Sequence, residues 1–589
     1  MMPRAKGRAF CCAAMLTMLA TPNMMAKAAG SRAKRDARRA PTSKFLSNQV
    51  PMSERSSSSF DNVREYIRAA WDHLTRSVDV CKTLEDVKTK GEPLLYLPAR
   101  FAEPGDVKEL AERCHIRVKH LPVKITKPGE LDSKKIGPEG LLYLPNPYVV
   151  PGGQFNEMYG WDSYFIILGL LRDNRLALAK GMVDNFFFEI EHYGGVLNAN
   201  RTYYLTRSQP PFLTSMILAV YEAEKAAGHD DKAWLEKGYR YARTDHEQWT
   251  SPPHLAGDTG LSRYFDRGGG PVPEILDDPS HYYREVAEYF LAHPGDNHGQ
   301  MVHMSAGQPA ATSATGQVYE LFVCGSKVRT SAGADAKDCQ ENRVTLAADY
   351  YKGDRSMRES GFDVTFRFGP YGDETQYYAP VCLNSLLYKT ELDLAQISDV
   401  LGKKSEADDW KQKAAQRRAN IDKYLWDAKA GLFYDYNFQT RTRSSYDFVT
   451  TFYPLWAGLA TKEQAKAVAA KISLFEQPGG LATSRNESGV QWDYPYGWAP
   501  LQLLAVDGLR RYGYAADANR ISLKFLSMIL EDFEEEKHIR EKYDVVARES
   551  VTHIHAGYVT NQIGFGWTNG VFLELLHELP PEQLARLTN

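Results

Sequence analysis

Apolar residues recur at three- and four-residue intervals along most of the chain. Val63, Tyr66, Ile67, Ala70 and Trp71 form one such set, and Leu176, Ala179, Met182, Val183, Phe186 and Phe187 another. This spacing lays an apolar stripe along one face of a helix. It also predicts helices near residues 212–226, 233–249, 381–401, 406–425, 462–472, 501–512 and 519–533. Residues 96–150 break the rule, because Pro98, Pro104, Pro122, Pro128, Pro138, Pro145 and Pro147 punctuate them. Proline removes a backbone donor and ends helices, so an irregular segment wrapping the outside or one mouth of a helical body is expected there. Helices arriving in pairs fit either a closed ring or a superhelical stack.

Composition changes this picture only at the N-terminus. The chain has 589 residues, 43% hydrophobic and 25% charged, as expected of a globular protein. Residues 1–40 carry nine Lys or Arg against Asp36, a net of +8, so the other residues carry −11 of the overall −3. An acidic body excludes nucleic acid as a natural partner. Residues 1–28 read as a secretory signal, with Arg4, Lys6 and Arg8 ahead of an apolar run from Ala9 to Ala20 and small residues at Ala26 and Ala28. The run is too short for a membrane span, so an exported, periplasmic protein is expected. Residues 29–59 read as a disordered linker and 60–589 as one catalytic domain. Removing the signal leaves Cys81, Cys114, Cys324, Cys339 and Cys382. Cys324 and Cys339 bracket a polar stretch with no helical pattern, which favours a bridge between them.

Three loops carry the candidate chemistry. The first, Pro151-Gly-Gly-Gln-Phe-Asn-Glu-Met-Tyr-Gly-Trp-Asp-Ser-Tyr-Phe165, runs into the apolar Ile166, Ile167 and Leu168. The same grammar returns at Gln491-Trp-Asp-Tyr-Pro-Tyr-Gly-Trp-Ala-Pro500 and at Gly564-Phe-Gly-Trp-Thr-Asn-Gly570. An acidic residue in such a loop can cap the following helix. It can equally accept paired hydroxyls from a sugar whose C–H face lies on an aromatic ring.

The first two loops resemble the two signature segments of the trehalases, the family 37 glycoside hydrolases. Residues 198–211, 358–363, 541–544 and 564–571 match the family as well, in its order along the chain. The resemblance implies an all-α (α/α)6 toroid of six helical hairpins, an inverting mechanism, no cofactor and no metal. It implies Asp363 as general acid and Glu541 as general base. An inverting pair stands roughly 6.5–9.5 Å apart to admit a water. The sugar contacts it implies are Phe155, Trp161, Asp162, Asn198, Arg207, Gln209, Glu274, Gly361 and Trp492. The expected ligand is a disaccharide, trehalose, bound by a monomer.

The chain departs from the family at three places. Gln154 and Val272 stand where the family carries arginine, and residues 545–563 hold a single glycine, Gly557, in place of a glycine-rich lid. These departures leave open another α-linked glucosyl disaccharide as substrate, or a catalytically silent sugar-binding relative. Arg358 and Arg548 are the candidates to replace the missing cations. His553 and His555 are too sparse a set for a metal site.

Overall fold

The computed structural model describes residues 52–77, 80–81, 93–275, 279–305, 317–333, 336–555 and 560–587. The expected signal segment and residues 29–51 of the expected linker lie outside them. Helix α1 (Met52–Leu74) begins eight residues ahead of the expected domain boundary. Its buried Val63, Ile67 and Trp71 anchor it to the main core, and the Ser-rich stretch before them continues the same helix.

Helices supply most of the regular structure. After a short helix α2 (Gly105–Cys114) come α3 (Asp162–Arg172), α4 (Leu176–Tyr193), α5 (Leu213–Ala226), α6 (Lys232–Trp249), α7 (Pro279–Ala292), α8 (Ala348–Glu359), α9 (Val381–Val400) and α10 (Lys404–Tyr424). They are followed by α11 (Tyr453–Trp456), α12 (Lys462–Ala469), α13 (Ala499–Arg511), α14 (Ala515–Glu536), α15 (Gly566–Glu578) and α16 (Pro581–Leu584). Helix α3 packs on α5, α5 on α9, α9 on α11, α11 on α13 and α13 on α15, and α15 packs back on α3. The sequence pattern separates these helices from their neighbours. In α15 every residue from Gly566 to Leu576 is buried, as befits a helix covered all round, whereas α10 buries only Ala407, Trp410, Ala414, Arg417 and Ile421. The α3–α15 contact depends on two glycines. A Cβ on Gly169 would run into the Gly570 backbone, and one on Gly570 into the carbonyl of Phe165.

The Pro-rich segment is more regular than the sequence predicts. Strands β1 (Leu94–Leu97), β2 (Arg117–His120) and β3 (Leu141–Leu142) form a parallel sheet with β1 central. Helix α2 is the crossover between β1 and β2, and Leu95, Leu97, Val107, Leu110 and Ile116 share a small core. Parallel strands require such a crossover, which the prolines at its edges permit. A disulfide joins Cys81 to Cys114.

A second departure from an all-α body lies between α7 and α8. Strands β4 (Met301–His303), β5 (Val318–Cys324), β6 (Lys327–Arg329) and β7 (Cys339–Leu346) form an antiparallel sheet in the order β4-β7-β5-β6. It has its own core of Tyr282, Tyr283, Val286, Phe290, Leu321 and Val344. Cys324 lies opposite Cys339 in the strand register, and the expected bridge joins them. Cys382 is buried and unbridged. No helix among the described residues is long and apolar enough to cross a membrane.

Candidate active site

Helix α8 ends at Glu359, and the turn that follows carries Asp363. The Asp363 side chain keeps 21% of its exposure, while Phe362 and Val364 on either side keep none. Asp363 is therefore accessible where its two chain neighbours are not. Burial pushes it up to about 7, against the pull of Arg358 and Arg207. Arg358, the penultimate residue of α8, brings Nη1 to 3.6 Å from the Asp363 carboxylate and donates Nε to Asp354 at 3.1 Å. A carboxyl that holds its proton near neutral pH can deliver it.

Beside Asp363 lies a buried set of paired charges. Arg207 donates Nη2 to Glu274 at 2.6 Å and lies 3.8 Å from Asp266. Asp266 also pairs with Arg355 at 3.0 Å. Burial works to raise the Glu274 carboxyl, yet Arg207, Arg358 and Arg355 together hold it below its ordinary value.

Glu541 stands at the start of β9 (Lys542–Asp544), which pairs antiparallel with β8 (Tyr496–Trp498). Its carboxylate accepts from Lys542 Nζ at 3.0 Å and its side chain is 14% exposed. Its backbone carbonyl accepts from Trp567 Nε1 at 3.1 Å, at the head of α15. A carboxylate held by an ammonium suits a proton acceptor. Asp162, the first residue of α3, connects the two acids. Burial, reinforced by the Glu541 and Asp363 carboxyls, holds it well above the usual carboxylate range. Both carboxyls therefore lie close enough to Asp162 to act on it.

Trp161 and Trp492 do not form open walls. Each is 2% exposed. Their rings lie 5.9 Å apart, with Phe362 at 5.7 Å and Trp567 at 5.6 Å from Trp161, and Trp492 stacks on Trp498 at 3.7 Å. The rings consume one another's faces and form a tightly packed aromatic floor. Gly361, at φ +76°, is part of that floor, because a Cβ there would fall 2.9 Å from Trp161 Cε2. Gln209 accepts from the Trp161 backbone N–H at 3.0 Å. Asn198 is buried and its amide points at the Ser208 carbonyl, 3.5 Å away. Phe155 is half-buried, edge-on to Tyr159.

The two candidate replacement cations separate. Arg358 joins the site, whereas Arg548 is bound to Glu531 at 2.7 Å and to the Pro478 carbonyl at 2.8 Å, because its left-handed turn after β9 aims it at α14. Gln154 is exposed on its loop, and Val272 is buried in the small core with Tyr283, so neither position holds a cation here. His555 donates its backbone N–H to the Gly489 carbonyl and His553 to the Tyr496 hydroxyl; both anchor the 545–563 segment through the main chain. The sequence reading missed Lys542, Gln491, Asp266 and Arg355. Lys542 had a visible signal in its place directly after Glu541, and Gln491 in opening the second loop, whereas Asp266 and Arg355 had none.

Paired helices around a buried proton-holding carboxyl, with further carboxyls beside it, suit a helical glycoside hydrolase. The trehalase family model matches residues 31–580, and the chain belongs to the trehalase family. It is 36% identical over 561 residues to a cytosolic neutral trehalase of Saccharomyces cerevisiae, covering 85% of this chain and 69% of that one. It is likewise 36% identical over 571 residues to a cytosolic neutral trehalase of Neurospora crassa, covering 85% and 71%. The solved structure of neutral trehalase Nth1 from Saccharomyces cerevisiae matches with a TM-score of 0.71 at 32% identity, covering 90% of this chain and 96% of that chain.

Proposed function

We propose that the protein hydrolyses trehalose to two glucose molecules with inversion, Asp363 protonating the departing oxygen and Glu541 activating the water. The observation that carries this reading is the contrast between the two acids. Burial keeps the Asp363 proton in place near pH 7, while Glu541 sits against the Lys542 ammonium. An acid and a base with such different surroundings can work at one pH. Asp162, Arg207, Gln209 and Glu274 then serve the sugar hydroxyls, with the Trp161 and Trp492 floor beneath. The succession α3, α5, α9, α11, α13 and α15 supports a closed (α/α)6 toroid, with the other long helices outside it. Two disulfides, Cys81–Cys114 and Cys324–Cys339, support residence in an oxidising compartment, in keeping with an N-terminal export signal.

A second reading, hydrolysis of another α-linked glucosyl disaccharide, is favoured by exposed Gln154 and by the burial of Val272 in an apolar core. Both readings are tested by incubating the mature protein with a panel of α-linked disaccharides and following glucose. Release from trehalose alone supports the first, and release from a different sugar the second. Binding without release marks a silent relative. Asp363→Ala and Glu541→Ala each lose at least about 10³-fold in kcat. The first product, observed by NMR before mutarotation, contains one β-glucose for each trehalose cleaved. An all-α product or a near-active variant overturns the assigned roles.

A further inference from the structure

The Lys542 side chain is fully buried. A buried ammonium costs several kcal/mol in lost hydration unless paired, so its surroundings say what it is for. Its Nζ lies 3.0 Å from the Glu541 carboxylate, 3.0 Å from Gln491 Oε1 and 3.5 Å from the Thr560 carbonyl, and 5.2 Å from the Trp498 ring centre. The strand pair fixes this arrangement, because Lys542 stands opposite Trp498 in the β8–β9 register. Trp498 Nε1 in turn donates to the Gln491 carbonyl at 3.0 Å.

The Gln491 amide can be oriented in only one way. An ammonium only donates, so the oxygen must face Lys542. The amide nitrogen then donates to the backbone carbonyl of Asp363. A continuous polar bridge results, running from the Asp363 main chain through the Gln491 amide and the Lys542 ammonium to the Glu541 carboxylate. It joins three segments that are remote in sequence, the loop after α8, the loop before α13 and β9.

We propose that Lys542 and Gln491 are positioning residues that hold Glu541 ionised and fix its separation from Asp363. This rests on the reading of Glu541 as the base. The charged and titratable groups facing Glu541 set the balance. Asp162 from α3 and Asp363 from the loop after α8 face it as carboxyls whose protons burial holds on, and Lys542 supplies the positive charge that pairs it. Arg540 is turned away onto Glu536 at 2.9 Å. From α15, Trp567 and Thr568 offer only neutral donors to the Glu541 backbone. Without the ammonium, a carboxylate that is only 14% exposed loses its ion-pair partner, and its charge is harder to keep. Gln491→Glu acts differently, for it competes with Glu541 for the same ammonium and cannot donate to the Asp363 carbonyl.

The test is the pH profile of kcat/KM on trehalose, with melting curves to verify folding. Lys542→Met lowers kcat about 100-fold with KM little changed, and moves the acidic limb upward by about one pH unit. The basic limb, set by Asp363, moves less. Gln491→Glu moves the acidic limb the same way, and it decides the matter if Lys542→Met does not fold. Acidic limbs unmoved in the folded variants, with activity lost, reduce Lys542 to a packing residue and overturn the proposal. Glu541→Gln separates the two ideas. If it stays active, the base assignment falls; if it is inactive while the limbs stay fixed, the base stands and the bridge falls.

Discussion

The dipeptide Trp-Asp occurs in both signature loops and does two different jobs. At Trp161-Asp162 the carboxyl opens helix α3 beside the Glu541 and Asp363 carboxyls, and burial holds its proton on. At Trp492-Asp493 the carboxylate is a knot of the main chain. It accepts from Ser488 Oγ at 2.6 Å, from the Phe366 backbone N–H at 3.0 Å and from Thr365 Oγ1 at 3.4 Å. Burial raises it only to about 6 against those donors. Two equal pairs of letters thus differ by what is aimed at them. Where like charges surround the acid it is free for a ligand, and where hydroxyls and amides surround it the acid ties loops together.

The sharpest way to break this comparison is Asp162→Ala. It loses about 10²–10³-fold in kcat/KM, and a thermal melt registers little loss of stability because a charge-crowded group is gone. Asp493→Ala reverses the pattern. It leaves several donors without an acceptor and destabilises by about 2–4 kcal/mol in a urea titration, while the kcat of the folded fraction drops far less. Gly361→Ala falls between, since it strains a left-handed residue and presses on Trp161. It costs about 1–3 kcal/mol and raises KM as the aromatic floor shifts.

The smallest effect is a slope with pH. Asp493 has its folded value raised from 3.8 to about 6, so the folded state holds the proton more tightly than the unfolded state. Its contribution to stability is full below about 4 and is lost as the pH rises through 6. Asp493→Asn flattens that window by up to about 1.4 kcal/mol per pH unit, read from urea midpoints at pH 4, 5 and 6.

What the sequence could say follows from where the deciding contacts lie. Helices such as α4 and α14 were legible because one apolar stripe per helix is a local signal. Helix α15 is anticipated as an apolar helix after Gly570, from Val571, Phe572, Leu575 and Leu576, but a helix buried all round has no stripe to show how it sits. The sheet of β4 to β7 was missed because Val318-Tyr-Glu-Leu-Phe does not alternate cleanly, and β7, the partner of both β4 and β5, comes last of the four in the chain. Asp162 and Asp493 could not be told apart, for the donors of Asp493 come from residues 365, 366 and 488 as well as its own loop. Arg358 and Arg548 were equal candidates by charge alone. Only the direction of the backbone distinguishes the one that reaches Asp363 from the one clamped to α14.

The glycine contact between α3 and α15 has a temporal side. Asp162 begins the first of these two helices and Trp567 lies in the first turn of the second, so two segments remote in sequence meet beside Glu541. A nascent or truncated chain lacking residues after about 560 is left with an unsealed arc, without the indole that fixes the Glu541 main chain. On the proposed roles of Asp363 and Glu541, a chain cut short ahead of α15 is expected to be inert rather than half-active, which an assay of such a truncated chain on trehalose checks.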